Sequence, residues 1–210
     1  MRYLCLHGRG TNAKIFEMQT NQHEYDFLEG TMPWELDPDL GNLVSENDET
    51  FALFDENNPL TALTAVDQLN SFVEVEGPYD GVIAFRQAVG VVATWMASQA
   101  RQKKPSFKCS VFLSGAAPAV DYNALQKGIF VQLDPRALDC RIEVPTAHIW
   151  GTNDQWKDAA EATSQLCRAD VRSALVHQGG HEVPGVGSKE ALHETLNMIR
   201  RAILQSHAAG

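Results

Sequence analysis

Six short strand-like runs, at residues 2–7, 24–28, 81–85, 109–114, 144–150 and 172–176, are spaced along this chain by longer stretches of helical period. Each run is too brief for a helix and is bounded by glycine, proline or polar residues, which predicts a strand. Between them, Leu60, Leu63, Ala65, Val66, Leu69 and Val73 share one helical face before the Gly77-Pro78 break. Val89, Val92, Ala93, Met96 and Ala100 mark a second, small-residued helix that ends at Lys103-Lys104-Pro105. A polar helix is expected over 155–168, and a C-terminal one over 189–205 with Ala191, Leu192, Leu196, Ile199 and Ile203 as its buried stripe. Asn12 reads as the cap of a short helix over 14–20. Two stretches lack this rhythm. Residues 30–59, with Pro33, Pro38 and Pro59, read as a long irregular excursion and a candidate wall over a site, and 119–141 has no assignable pattern. Strands alternating with helices predict one α/β domain over 1–210: a doubly wound, mostly parallel sheet with helices on both faces. Ligands of such sheets bind outside the carboxyl ends of the strands.

The turn after the third run carries the chemistry. An apolar strand, a sharp turn and a small-residue helix start are how α/β-hydrolases expose a nucleophilic serine within G-x-S-x-G. Here Arg86 stands in the nucleophile's place, and Ala84 and Ala88 replace the flanking glycines. Asp154 and His181 follow later strands in the order acid, then histidine, that completes a hydrolase triad. Arginine is neither nucleophile nor base: its guanidinium stays protonated and has no acceptor. It can hold a carboxylate, or an enolate or oxyanion as charge develops. Its charge near His181 also favours the neutral imidazole, the form that acts as a base.

Several segments carry a family resemblance: Leu6-His7-Gly8-Arg9-Gly10-Thr11, Glu76-Gly77-Pro78-Tyr79-Asp80-Gly81-Val82, Ser114-Gly115-Ala116-Ala117-Pro118, Val144 to Gly151 with Asp154, and Gly179-Gly180-His181-Glu182-Val183-Pro184. In this order they resemble the FSH group, the family of serine hydrolases within the α/β-hydrolase superfamily. The resemblance implies an α/β-hydrolase fold, a small polyketide-like substrate, and an oxyanion hole of backbone amides near Arg9, Gly10 and Gln87. The departure is the family's Gly-Phe-Ser-Gln-Gly-Ala type elbow, which reads Ala84-Phe85-Arg86-Gln87-Ala88-Val89 here. Three functions are therefore open. One is non-hydrolytic cyclase, isomerase or lyase chemistry on a carbonyl compound of fungal-type secondary metabolism. The others are an inactive protein that binds an acidic small molecule or partner, and an esterase or thioesterase using another nucleophile.

Charge and composition narrow the partners. With 17 basic and 27 acidic residues in 210, the formal net charge is -10, and 16 carboxylates but no Lys or Arg lie between Ile15 and Phe85. That balance disfavours nucleic acid as a partner and is consistent with a solvated acidic face. Cys5, Cys109, Cys140 and Cys167 are widely spaced, so neither a zinc site nor a disulfide framework is expected, and no cofactor is implied. The start of the chain reads as a strand rather than a leader, and no apolar run is long enough to span a membrane, so a cytoplasmic protein is expected. Ser114 and His148 read as structural, and His177 and His181 as too differently placed to bind one metal.

Overall fold

The computed structural model describes residues 1–9, 24–36, 49–104, 107–139, 141–184 and 188–208. Six strands form one parallel sheet: β1 (Arg2–Leu6), β2 (Glu24–Leu28), β5 (Gly81–Phe85), β6 (Cys109–Leu113), β7 (Thr146–Gly151) and β8 (Arg172–His177), ordered β2-β1-β5-β6-β7-β8. The chain steps outward from β1 to β2, then crosses back over β1 to β5, so the winding reverses between β1 and β5. At such a reversal the loops leaving the two strands diverge and open a crevice. His7-Gly8 leaves the first of those strands and Arg86 the second.

Alternation within the strands divides the core. Leu4, Leu6, Val82, Ala84 and Phe112 face α1 (Pro59–Glu76), α2 (Gln87–Gln102) and α3 (Tyr122–Leu125). Cys5, Ile83, Phe85, Val111 and Leu113 face α5 (Lys189–Ala208), and α4 (Lys157–Gln165) packs on β7. Helix α1 begins where the Asn58 side chain accepts from Leu60 N, with Pro59 in the first turn, where no amide is needed. Helix α2 is buried from Gln87 through Ala97, and Gly90 lets it lie against Ala117 and Pro118. No helix among the described residues is long and apolar enough to cross a membrane.

Several expectations need correcting. Leu60 is exposed, and the inner face of α1 is Ala62, Ala65, Val66 and Leu69. In α5 the buried positions are Thr195, Ala202 and Ser206, flanked by Met198, Ile199 and Ile203, while Leu196 points outward. The expected stripe therefore holds at Ile199 and Ile203 and fails at Leu196, whose place is taken by its neighbour Thr195. Strand β7 starts at Thr146 rather than at 144, because Pro145 has no amide to donate, although its carbonyl accepts from Ser110 N at 3.0 Å. Helix α4 is shorter at both ends than expected. Among its described residues the excursion pairs its two arms: β3 (Met32–Pro33) runs antiparallel to β4 (Phe51–Ala52), and Trp34 N donates to Thr50 O at 2.8 Å. The unpatterned 119–141 stretch holds α3, capped by Asp121, and a Val120–Gln132 bridge. The helix expected over 14–20 and its Asn12 cap lie outside the described residues.

His148 is buried in β7, its Nε2 3.0 Å from Thr146 Oγ1, and burial, helped by the Arg172 charge, lowers its pKa to about 3. His7, also buried, accepts Gly30 N at Nε2 (2.9 Å), and burial lowers its pKa too. Both are held neutral when folded, so the unfolded chain takes up the proton first. Stability is full above their ordinary value of 6.5 and falls as the pH drops toward the folded values. The melting temperature followed by circular dichroism should therefore fall from about pH 7 to about pH 4, and His148→Gln should flatten that fall. A slope unchanged by the substitution would contradict this origin.

Candidate active site

Strand β5 ends at Phe85 and α2 starts at Gln87, leaving Arg86 alone to make the turn, at φ 55 and ψ −117. For an L-residue this conformation costs about 1–3 kcal/mol and persists only where the surroundings enforce it. Here Arg86 N donates to Leu113 O (3.0 Å), while Arg86 O accepts from Ala116 N (3.1 Å) and Val89 N (3.2 Å). The backbone is that of a nucleophile elbow, fixed from the neighbouring strand β6. Ala84 and Ala88, where the pattern has glycines, are fully buried.

The Arg86 side chain is only 6% exposed. Its stem runs along Gly8, where an added Cβ would lie 2.8 Å from both Cβ and Cδ of the arginine. The glycine after β1 is thus needed for close approach. Nη2 donates to His181 O at 3.2 Å, and Cζ lies 5.0 Å from the Phe85 ring centroid. Burial lowers the guanidinium pKa and the Asp154 charge opposes the shift, so the group remains a cation.

The loops after β7 and β8 are hydrogen-bonded to each other. Thr152 N and Oγ1 both donate to His177 O (2.7 and 2.9 Å), Asn153 N to Gly179 O (3.1 Å), and Asn153 Nδ2 to Gln178 O (3.0 Å). This pairing sets His181 against Asp154, with Nδ1 3.0 Å from each carboxylate oxygen. With the Nδ1–H donated to the carboxylate, Nε2 carries the lone pair. Asp154 is 2% exposed and also accepts from Trp156 N at 2.8 Å. The Phe85 ring stacks on the imidazole, with centroids 6.4 Å apart. Ser114 Oγ donates to Glu182 O (2.8 Å), which assigns it the expected structural part. The support given by Gly8, Phe85 and the 151–153 pairing was not read from the sequence. Gly-Gly after β8 and Gly151 after β7 were the available signals.

The other expected residues divide. The Gln87 amide is the first of α2 and has no acceptor within the helix. Its side chain is buried and clamps the excursion, Oε1 accepting from Leu53 N (2.9 Å) and Nε2 donating to Phe54 O (3.0 Å). The Arg9 side chain turns to Glu56 (2.9 Å) and Trp34 (5.4 Å to the ring), so its charge is engaged by the excursion. Gly10 lies outside the described residues. Among the described residues no cluster of three or more His, Cys, Asp or Glu could hold a metal ion. A cavity of about 370 Å³ adjoins the elbow, lined among others by Ala116 and Trp156, whose amides bind Arg86 O and Asp154.

The family model described as serine hydrolase (FSH1) matches residues 1–193. The chain belongs to this serine hydrolase family. It is 33% identical to esterase FPY3 of Fusarium mangiferae over 97% of this chain and 95% of that one. It is 28% identical to hydrolase phiM of a fungal species, over 87% and 86%. Among solved structures, ClbQ from the colibactin NRPS/PKS pathway superposes with a TM-score of 0.56 at 12% identity, covering 100% and 99% of the two chains. The serine hydrolase fold is therefore present with arginine at the elbow. Because Gly151 faces the Gly179 and Gly180 carbonyls, Gly151→Ala should push the two loops apart and destabilise the protein by about 1–3 kcal/mol in urea unfolding. An unaltered midpoint would show that the pairing does not constrain the site.

Proposed function

We propose that this protein is a non-hydrolytic enzyme that moves protons on a small, polyketide-like carbonyl compound of fungal-type secondary metabolism. The observation that carries the reading is the His181–Asp154 pair, at 3.0 Å, on a nucleophile-elbow backbone whose apex is a buried cation instead of a serine. His181 Nε2 takes a proton from the carbon next to a carbonyl. Asp154 orients the ring and stabilises the imidazolium, and the Arg86 charge stabilises the enolate oxygen. Return of the proton to another atom isomerises the compound; attack of the enolate carbon on a second carbonyl cyclises it, and loss of a leaving group is elimination.

Among the described residues, Ser114 and three cysteines are poorly placed to serve as a substitute nucleophile, which supports this over hydrolysis. Ser114 donates to Glu182 O, and Cys5, Cys109 and Cys167 are buried, with the Cys167 thiol pushed up to about 12 by burial. A second reading, binding of an acidic ligand without turnover, is favoured by the cation that Arg86 sets at the apex of the elbow.

Solvent-deuterium exchange into a β-keto ester with an apolar chain, followed by proton NMR, tests the proposal. The unaltered protein should catalyse exchange and resist fluorophosphonate labelling, and His181→Ala and Arg86→Ala should each slow exchange by about 10²-fold or more. Fluorophosphonate labelling of the unaltered protein, or exchange untouched by both substitutions, would refute it. Binding lost in Arg86→Ala but kept in His181→Ala, with no exchange in any form, would select the second reading.

A further inference from the structure

The cavity beside the elbow says what the body of the ligand is. Its interior is built by Ala62, Val66, Val91, Ala117, Val120 and Leu125, all apolar. Two polar groups on its wall are already engaged, Thr94 Oγ1 accepting from Val120 N (2.9 Å) and Glu56 pairing with Arg9 (2.9 Å), and the lining amide Gln132 is exposed and uncharged. No Lys or Arg is among the lining residues, so the lining offers a charged ligand body no counter-ion. Burying such a charge without a partner is strongly unfavourable.

The walls differ in how they are held. Phe54, 7% exposed, is fixed through its carbonyl by the buried Gln87 side chain. Phe130 comes from the stretch after α3 and is half-buried, its ring 6.4 Å from that of Phe54. Trp156, also on the lining, is 39% exposed, which places one apolar ring at the mouth. The volume, about 370 Å³, lies at the small end for ligand sites and corresponds to roughly a dozen groups of ~30 Å³ each.

We propose that this cavity takes an uncharged alkyl or aryl body of about that size, and that Phe130, closing against the fixed Phe54, sets its length limit. The inference rests on the reading that the elbow handles the ligand's polar end. It is tested without turnover, by fluorescence of N-phenyl-1-naphthylamine bound to the full chain and its displacement by 1-alkanols of increasing length. Displacement should strengthen about fourfold per methylene, equivalent to about 0.8 kcal/mol, and level off once the cavity is full. Phe130→Ala should move the levelling to chains longer by about two or three carbons. Absence of probe binding, a series with no length break, or a break unmoved by Phe130→Ala overturns the proposal. His181→Ala should leave this binding intact while abolishing deuterium exchange, so failure of the cavity and failure of the acid–base reading register in different assays.

Discussion

The backbone turn at Arg86 is the constraint on which the rest of the site depends. A non-glycine residue at φ 55 and ψ −117 is held there by Leu113 and Ala116, which belong to β6 and its loop. That loop is itself anchored outward: Ser114 N donates to Ile149 O in β7, and Ser114 Oγ to Glu182 O beside His181. The elbow, the β6 loop and the histidine turn therefore form one connected unit, and displacement at any of them is felt at the others. Because the strain is enforced by neighbours, the turn survives replacement of the residue at its apex.

What fills that apex changes the electrostatics more than the shape. Taking a guanidinium out of water costs several kcal/mol unless it is compensated. Compensation comes from the His181 carbonyl, the Phe85 ring face and the nearby Asp154 charge. The same three groups position the imidazole: Phe85 stacks on it, Asp154 binds Nδ1, and its own carbonyl is tied to the arginine. A serine there would have needed only the lone pair of Nε2. An arginine couples its charge to the whole histidine turn, which is why acid–base chemistry with an anionic intermediate is the function we propose.

The sheet was legible because each strand is a short apolar run closed by glycine or a polar turn, as in Gly81 to Phe85, whose bounds match the observed strand. Arg86, Asp154 and His181 could be placed together because each follows a strand, and strand ends in a parallel sheet converge on one edge. The turn of Arg9 toward Glu56 was not legible, since a charge three residues past the end of β1 can pair with whatever the excursion brings over it. Nor was the inward turn of Thr195 in place of its neighbour Leu196 in α5, since the apolar pattern points to the leucine. The clamp of Gln87 on Leu53 and Phe54 joins residues more than thirty positions apart, and local pattern carries no trace of it.

The central claim is that the fold, not the residue, fixes the elbow. A crystal structure of Arg86→Ser tests it directly. The account predicts that the substituted position keeps φ near 55 and ψ near −117, with the introduced hydroxyl about 2.6–3.2 Å from His181 Nε2. Relaxation of that position into the ordinary helical or extended region, with the hydroxyl turned from the histidine, would contradict it.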